Sequence, residues 1–238
     1  MPKTLAIFGV GPGMSRSVAN RFGREGFRLA LVARNLDKLE KYVQELAANG
    51  IEAAAFTADV TDRGELVRVI GEINERFGHI DVAQFSPSNL DTPVVNVLDV
   101  DPDDLPAQFQ MPLWAPIALV KALLPGMIER RDGTILLGSG VSAVRPVPAL
   151  GNVGIALGGL RQYVQNLNAA VADKGVYVGV IHVGGLIDRS DASKIFEKHA
   201  PADIGPVPRV NPDELAETAW EMHANRDTFE RIVGSYAQ

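Results

Sequence analysis

Short apolar runs recur along the chain, and segments with helical spacing lie between most of them. The runs are rich in Val, Ile, Leu and Ala, which is typical of buried strands. The predicted strands are Leu5–Phe8, Leu29–Ala33, Ala53–Ala58, Ile80–Phe85, Thr134–Leu137, Val176–Val183 and Phe229–Val233. Because strands alternate with helices, the pattern predicts right-handed crossovers and a parallel sheet covered by helices on both faces.

Helix signals lie between these strands. A helix is expected from Met14 to Glu25, and the clearest amphipathic pattern runs from Leu66 to Phe77. Asn211 before Pro212 is typical of a helix start, with Asn as the N-cap and Pro in the first turn. The segment 186–210 has mixed polarity and is interpreted as a mobile lid. No linker or repeat interrupts the pattern, so a single domain over residues 1–238 is expected.

Composition excludes several functional classes. The net charge is −6, whereas a nucleic-acid or anionic-membrane binder needs clustered Lys and Arg. The chain has no cysteine, which rules out disulfides, thiolate catalysis and cysteine-bound zinc. No stretch approaches ~18 uninterrupted apolar residues, and no signal-peptide layout is seen at the start, so a cytoplasmic protein without a membrane helix is expected.

A glycine-rich turn joins the first strand to the first helix. Gly9, Gly11 and Gly13 let the backbone turn tightly, and the helix that begins near Met14 offers free N–H groups to a phosphate. The turn follows the first strand of a strand–helix–strand unit, which is the context that a dinucleotide-binding loop requires.

The end of the second strand carries Arg34, where a protein that binds NAD usually places an acid. A guanidinium suits the 2′-phosphate of NADP, and Arg16 is a candidate second cation. NADP(H) is therefore expected ahead of NAD(H), although a chain that binds no nucleotide stays possible.

These features resemble the short-chain dehydrogenase/reductase family, which has a Rossmann-type doubly wound sheet of about seven strands. The family pattern Thr-Gly-x-x-x-Gly-x-Gly matches Gly9 and Gly13, with Phe8 and Ser15 at its first and last positions. Further matches are Ala33-Arg34 with Leu39, Asp59-Val60, Ile80-Asp81-Val82, Ala118–Met127 and Gly133-Thr134-Ile135. The cofactor-binding residues that this resemblance implies are Gly9, Gly11, Gly13, Met14, Arg16, Arg34, Asp59, Val60, Ser86 and Gly184.

The departures from the family cluster at its catalytic positions. The catalytic Asn, Ser, Tyr and Lys fall on Pro112, Gly140, Val153 and Leu157. The family's Asn-Ala-Gly becomes Ser86-Pro87-Ser88, and its Pro-Gly after the sixth strand becomes Val183-Gly184. Pro112 is expected to preserve a helix break, because proline removes an N–H and clashes with the preceding turn.

In the family, the Tyr hydroxyl gives a proton to the carbonyl oxygen as hydride arrives, and the Lys lowers the pKa of that hydroxyl. General acid–base help is worth ~10²–10⁴-fold in rate. Ordinary ketone reduction by this mechanism is therefore expected to be weak or absent.

Other polar residues could line the same pocket. Ser142 and His182 are weak candidates for catalysis, because His titrates near neutral pH and both lie near strand ends. The other possible lining residues are Gln84, Ser86, Gln110, Trp114, Ser139, Arg145 and Asn152. His79, His199 and His223 lack metal-ligand spacing and are interpreted as surface residues, so no metal site is expected.

Three functions stay open from the sequence. The first is a divergent NADP(H)-dependent reductase with a small apolar or aromatic substrate and a changed mechanism. The second is a catalytically dead member that binds nucleotide or ligand for regulation or assembly. The third is a lyase, isomerase or cyclase that reuses the pocket. The resemblance also implies a homodimer or homotetramer.

Overall fold

A seven-stranded parallel sheet forms the centre of this computed structural model, which describes residues 2–87, 92–199 and 207–234. The strands of the sheet are β1 (Thr4–Phe8), β2 (Arg28–Ala33), β3 (Ala53–Thr57), β4 (Val82–Phe85), β5 (Gly133–Gly140), β6 (Val176–Val183) and β9 (Glu230–Val233). Their order is β3-β2-β1-β4-β5-β6-β9. A separate parallel pair is formed by β7 (Leu186–Ile187) and β8 (Arg209–Val210).

Eight α-helices connect the strands of the described chain. They are α1 (Met14–Arg24), α2 (Leu36–Ala48), α3 (Arg63–Phe77), α4 (Leu105–Phe109), α5 (Ala115–Arg130), α6 (Gly151–Val171), α7 (Asp191–His199) and α8 (Pro212–Asn225). Side-chain caps fix four of the helix starts in the described chain: Asn35, Asp62, Ser190 and Asn211 each accept a hydrogen bond from a main-chain N–H of the first turn. The predicted start at Asn211-Pro212 is confirmed.

Two hydrophobic cores cover the two faces of the sheet. Successive side chains of a strand point to opposite faces, so Phe8 belongs to one core and Ile7 to the other. The Phe8 core is closed by α3, α5 and α6, and the Ile7 core by α1, α2 and α8. This arrangement confirms the predicted doubly wound α/β fold with helices on both faces. The predicted strands are recovered, although β5 extends three residues beyond the predicted end at Leu137.

A π-helical segment, Gln110–Trp114, joins α4 to α5 at the position where a helix break was expected. Pro112 has no N–H to donate, and the Ala115 N–H donates to the Gln110 carbonyl oxygen five residues earlier, which is the π-type hydrogen bond. The α-helix continues from Ala115. The break is therefore a local widening of a continuous helix. That helix, Leu105–Arg130, is long and apolar enough to span a membrane by length and composition alone, and its α5 part supplies the Phe8 core with buried side chains.

The segment interpreted as a lid has more regular structure than predicted. Residues 186–210 contain β7, α7 and β8, and residues 200–206 lie outside the described part. Arg189 has a φ of 65°, a backbone conformation that residues other than glycine rarely adopt. Its guanidinium pairs with Asp213 at 2.9 Å and donates to the Ser17 hydroxyl at 3.3 Å, which ties the segment to α1 and α8.

Candidate nucleotide-binding site

Residues from five strands meet at the carboxyl edge of the sheet. Gly9, Arg34, Asp59, Ser86 and Gly184 follow the ends of β1, β2, β3, β4 and β6. The chain reverses direction across the sheet between β1 and β4, and ligands of open α/β sheets bind at such a switch point. The topology thus places all five sequence-predicted residues along one edge.

The three glycines of the loop differ in how much space surrounds them. Gly9 has a φ of 90°, and a Cβ there would lie 2.6 Å from the Cβ of Pro87. A Cβ at Gly13 would lie 3.0 Å from the Cβ of Ser190. At Gly11, by contrast, a Cβ would meet no described atom within 4 Å. Gly9 is therefore required by the fold, and a side chain at Gly13 would be tight against Ser190, whereas Gly11 faces space that no described atom fills.

The start of α1 suits an anion. In the described chain, its N-cap Gly13 offers no side-chain acceptor, and the first turn contains no acidic residue. The free N–H groups and the helix dipole favour a phosphate there. The Ser15 hydroxyl donates to the Gly9 carbonyl oxygen at 3.0 Å, which holds the loop over the helix start. Met14 packs its side chain into the Ile7 core, so its main chain is what can face a ligand.

The two predicted cations have different surroundings. Arg16 pairs with Glu45, and its guanidinium lies 4.3 Å from the centre of the Tyr42 ring. The Tyr42 hydroxyl donates to the Arg16 carbonyl oxygen at 2.8 Å, and burial raises the pKa of Tyr42 to about 12. Arg16 therefore joins α1 to α2. Arg34 is exposed and forms no hydrogen bond or ion pair with any described residue, so its charge is available to a ligand.

The loop after β3 is held by its own hydrogen bonds. The Asp59 carboxylate accepts from the Thr61 hydroxyl at 2.7 Å and from its N–H at 2.9 Å, and these bonds lower the pKa of Asp59. The Gln110 side-chain amide donates to the Thr61 carbonyl oxygen at 3.0 Å. Val60 packs its side chain into the Phe8 core. Asp59 is thus a charged, positioned acceptor at this edge.

Ser86 and Gly184 already form hydrogen bonds within the fold. The Ser86 hydroxyl accepts a hydrogen bond from the Gln84 amide, and the Ser86 Cβ would lie 2.7 Å from a Cβ at Gly138. The Gly184 N–H donates to the Val233 carbonyl oxygen at 2.8 Å. Ser88, the last residue of the altered family motif, lies outside the described residues.

Apolar packing occupies the positions that the family resemblance assigns to catalysis. Gly140 is the last residue of β5, and Val153 and Leu157 lie one turn apart on α6. A Cβ at Gly140 would stand 3.1 Å from the Leu157 Cδ1, and Leu157 is only 8% exposed. Leu157 therefore fills the space beside Gly140 that a serine side chain would need.

A buried polar network lies behind these apolar residues. His182, on β6, is fully buried, and its Nε2 lies 3.1 Å from a carboxylate oxygen of Glu230. Arg161 donates two hydrogen bonds of 2.7 Å to the same carboxylate and lowers the pKa of Glu230. Burial lowers the pKa of His182, so its ring is neutral at pH 7. His182 is one of the two weak catalytic candidates from the sequence, but no spacing rule predicts its network with Arg161 and Glu230, because the members come from α6, β6 and β9.

Two other interpretations from the sequence need correction. Asn152 is one of the residues that could line the pocket according to the sequence, but it is buried: its side chain accepts from the Val95 N–H at 3.2 Å and donates to the Pro93 carbonyl oxygen at 2.9 Å. It therefore fixes a loop to the start of α6. His223 was interpreted as a surface residue, but its ring packs against Phe22, and its Nδ1 lies 2.9 Å from the Thr134 hydroxyl. His79 is half exposed, and the His199 side chain lies outside the described residues.

The fold and the carboxyl-edge site define a protein of the dinucleotide-binding α/β class. The family described as short chain dehydrogenase matches residues 3–198, so the chain belongs to the short-chain dehydrogenase/reductase family of oxidoreductases. The chain is 30% identical over 190 residues to dehydrogenase/reductase SDR family member 7B of Bos taurus, covering 76% of this chain and 57% of that protein. This chain thus spans little more than half of that relative.

Another relative matches over nearly its whole length. The 3-oxoacyl-(acyl-carrier-protein) reductase FabG of Staphylococcus aureus is 25% identical over 241 residues, which cover 96% of this chain and 94% of that protein. Among solved structures, an actinorhodin polyketide ketoreductase variant with NADPH has a TM-score of 0.86 at 21% identity and covers 97% of this chain and 95% of its own. At that identity the similarity concerns the fold.

Proposed function

We propose that this chain binds NADP(H) in the manner of its family and that ordinary carbonyl reduction through a Tyr–Lys pair is weak or absent. The observation that carries the proposal is a contrast within one site. At the nucleotide end, a Cβ at Gly11 would meet no described atom within 4 Å, and the start of α1 offers free N–H groups. At the catalytic end, the apolar Leu157 side chain lies against Gly140.

The residues at the nucleotide end fit the cofactor. The N–H groups of the Gly11–Ser15 segment would hold the pyrophosphate, and the Asp59 carboxylate is an acceptor on the side of β3. The Arg34 guanidinium, which has no hydrogen-bond or ion-pair partner in the described part of the chain, would hold a 2′-phosphate and favours NADP(H) over NAD(H). When bound, NADPH supplies a hydride, and the chain's own residues must then supply the proton.

The proton is where the chain differs from its family. Val153 and Leu157 have no titratable group, so neither donates a proton to a carbonyl oxygen nor holds a charge beside it. General acid catalysis and charge stabilisation at the oxygen are each worth ~10²-fold or more, and they are not additive. A chain without both is expected to reduce ordinary ketones very slowly.

Calorimetric titration with NADPH, NADP⁺, NADH and NAD⁺ tests the binding half of this proposal. We expect binding of NADPH and NADP⁺ in the micromolar range and weaker binding of the other two. The catalytic half is tested by NADPH oxidation on a panel of ketones and aldehydes. Wild type should be near the background rate, whereas rapid oxidation without a restored Tyr and Lys would refute the proposed loss of the proton donor.

A second candidate function is binding without turnover, in a regulatory or assembly role. Val153 and Leu157 favour this alternative, because neither side chain can donate a proton or hold a charge during a reaction. Nucleotide binding with no oxidation of NADPH on any carbonyl supports this alternative. A lyase, isomerase or cyclase would instead show catalysis that does not depend on nucleotide.

We further infer a homodimer or homotetramer with a small-molecule ligand and a cytoplasmic location. Trp114 and Ile155, beside the start of α5 and on α6, are 38% and 45% exposed, which supports a contact between copies along these helices. Light scattering of wild type and of an Ile155→Glu variant tests the assembly. The glutamate would be buried in the contact between copies, so the variant should have a lower molar mass than wild type. Cell fractionation tests the location.

A further inference from the structure

A turn formed by residues 187–190, just after β7, lies directly against the start of α1. If Gly13 carried a Cβ, that atom would stand 3.0 Å from the Ser190 Cβ and 3.2 Å from the Ile187 Cγ2. Gly13 is the N-cap of α1, the helix end where free N–H groups and the helix dipole favour a phosphate. The 187–190 turn therefore borders the place where the proposed function puts the diphosphate of the nucleotide.

The 187–190 turn contains a strained residue. The Ile187 carbonyl oxygen accepts from the Ser190 N–H at 3.3 Å and from the Ser190 hydroxyl at 2.7 Å, which closes the turn. Its third residue is Arg189, with a φ of 65°. Turns with a positive φ at this position usually use Gly or Asn, because other side chains are strained there. An arginine in this conformation needs contacts that offset the strain.

The Arg189 side chain makes such contacts with both α1 and α8. Its guanidinium donates to the Asp213 carboxylate at 2.9 Å and to the Ser17 hydroxyl at 3.3 Å. Ser17, near the start of α1, is only 7% exposed and donates to the same carboxylate oxygen of Asp213 at 2.6 Å. Hydrogen bonds from Ser17 and Arg189 lower the pKa of Asp213, so this carboxylate stays ionised at neutral pH. The three side chains thus join the 187–190 turn to the first turns of two helices.

We propose that Arg189 is a positioning residue for nucleotide binding: through Asp213 and Ser17 it holds the 187–190 turn as a fixed wall beside the diphosphate position. The inference rests on the proposed function, because the wall affects binding only if a dinucleotide occupies the site. In this arrangement the Arg189 guanidinium stays with Asp213, and the main-chain N–H groups of α1 bind the phosphate. The wall limits the positions that the diphosphate can take.

The wall borders a part of the nucleotide that NADPH and NADH share. Its loss should therefore weaken the binding of both nucleotides by the same factor, whereas the loss of Arg34 should weaken only NADPH. A wall that is already in place reduces the ordering needed on binding and slows the release of the nucleotide. The effect should therefore fall on the dissociation rate more than on the association rate.

Two variants remove the contact from opposite sides. Arg189→Gly keeps the left-handed backbone, which glycine adopts freely, and removes only the side chain. Asp213→Asn leaves Arg189 in place and removes the charge of its partner. Glu214→Gln is the matched control, because Glu214 is also an acidic residue in the first turn of α8 and interacts in the same way with the helix dipole.

Calorimetry and stopped-flow displacement with NADPH and NADH measure the effect on binding. Arg189→Gly and Asp213→Asn should each bind both nucleotides about three- to tenfold more weakly, mainly through faster dissociation. The double variant should lose little more than either single variant, because both substitutions remove one contact. Glu214→Gln should bind like wild type.

Hydrogen–deuterium exchange on the nucleotide-free protein tests the wall without any ligand. The N–H groups of Leu186 and Asp188 donate to the carbonyl oxygens of Pro208 and Val210, so the peptide 186–190 reports whether the turn is held in place. This peptide should exchange faster in Asp213→Asn than in wild type and in Glu214→Gln.

Several results would overturn the role of Arg189. They are unchanged exchange over 186–190 in Asp213→Asn, equal effects in Glu214→Gln, losses that add in the double variant, and a loss confined to NADPH. Tighter nucleotide binding in Asp213→Asn would also overturn it, because the released Arg189 would then bind phosphate directly. A wild type that binds neither nucleotide counts against the proposed function instead, and the exchange measurement still decides whether Arg189 holds the turn.

Discussion

The packing of Leu157 against Gly140 makes a quantitative prediction about stability. In Gly140→Ser the new Cβ would stand 3.1 Å from the Leu157 Cδ1, well inside the ~4 Å separation of ordinary apolar contacts. Overpacking of this kind costs about 1–3 kcal/mol in the free energy of unfolding. Leu157→Ala alone removes a buried leucine and costs about 2–5 kcal/mol. Because each substitution relieves the defect of the other, the double variant should be more stable than the sum predicts by about 1–2 kcal/mol.

Urea unfolding of the four proteins measures this coupling, with equal m values as the check that the unfolded states are comparable. Gly138→Ser provides the matched control. Its Cβ would lie 2.7 Å from the Cβ of Ser86, so Leu157→Ala should not relieve it. If Gly140→Ser costs the same in both backgrounds, the Leu157 side chain does not compete with a serine side chain at position 140.

Three further predictions concern single residues. Arg34→Ala should weaken NADPH binding roughly 10- to 100-fold in calorimetric titrations and leave NADH binding unchanged, because one charge-assisted contact is worth ~1.5–3 kcal/mol. Arg16→Ala is the control variant, since Arg16 is already paired with Glu45. Asn152→Ala should lower the free energy of unfolding by ~1–3 kcal/mol, because the buried Asn152 amide fixes the Pro93–Val95 loop. Asn166→Ala, on the exposed side of α6, should cost far less. Equal losses of the two variants in urea unfolding would refute this role of Asn152. Burial lowers the pKa of His223 to about 4, below its unfolded value, so its contribution to stability is present above pH ~6.5 and is lost as the pH falls toward 4. The loss should be about 2 kcal/mol after allowance for partial solvent exposure, and urea unfolding of wild type at several pH values should show it while His223→Gln does not.

Much of the fold follows from local signals in the chain. The buried apolar runs are strands because both faces of a parallel sheet are covered, and the alternation of strands and helices determines the crossovers. The glycine loop was identifiable because Gly9 and Gly13 fall between a strand and a helix. The position of Pro112 predicted a disturbance of the helix, but its form as a π segment depends on which carbonyl the Ala115 N–H reaches.

The parts of the site that the sequence missed depend on contacts between distant residues. Arg161, His182 and Glu230 come from separate elements, and no spacing rule connects them. For His223 a usable signal was present, because it continues the buried stripe of Leu215, Ala219 and Met222 along α8. Asn152 was misjudged for a different reason: an amide beside a pocket binds main-chain groups as readily as a ligand.

At Gly11, the contribution of a glycine to folding stability and its contribution to ligand binding can be measured separately. Because a methyl group there would touch no described atom within 4 Å, alanine should leave folding stability intact while it contacts a ligand that approaches the turn. If Gly11→Ala unfolds at the same temperature as wild type but binds NADPH more weakly, this residue contributes to ligand binding and not to folding stability. Gly9 cannot serve this purpose, since substitution there would push Pro87 aside and disturb both at once.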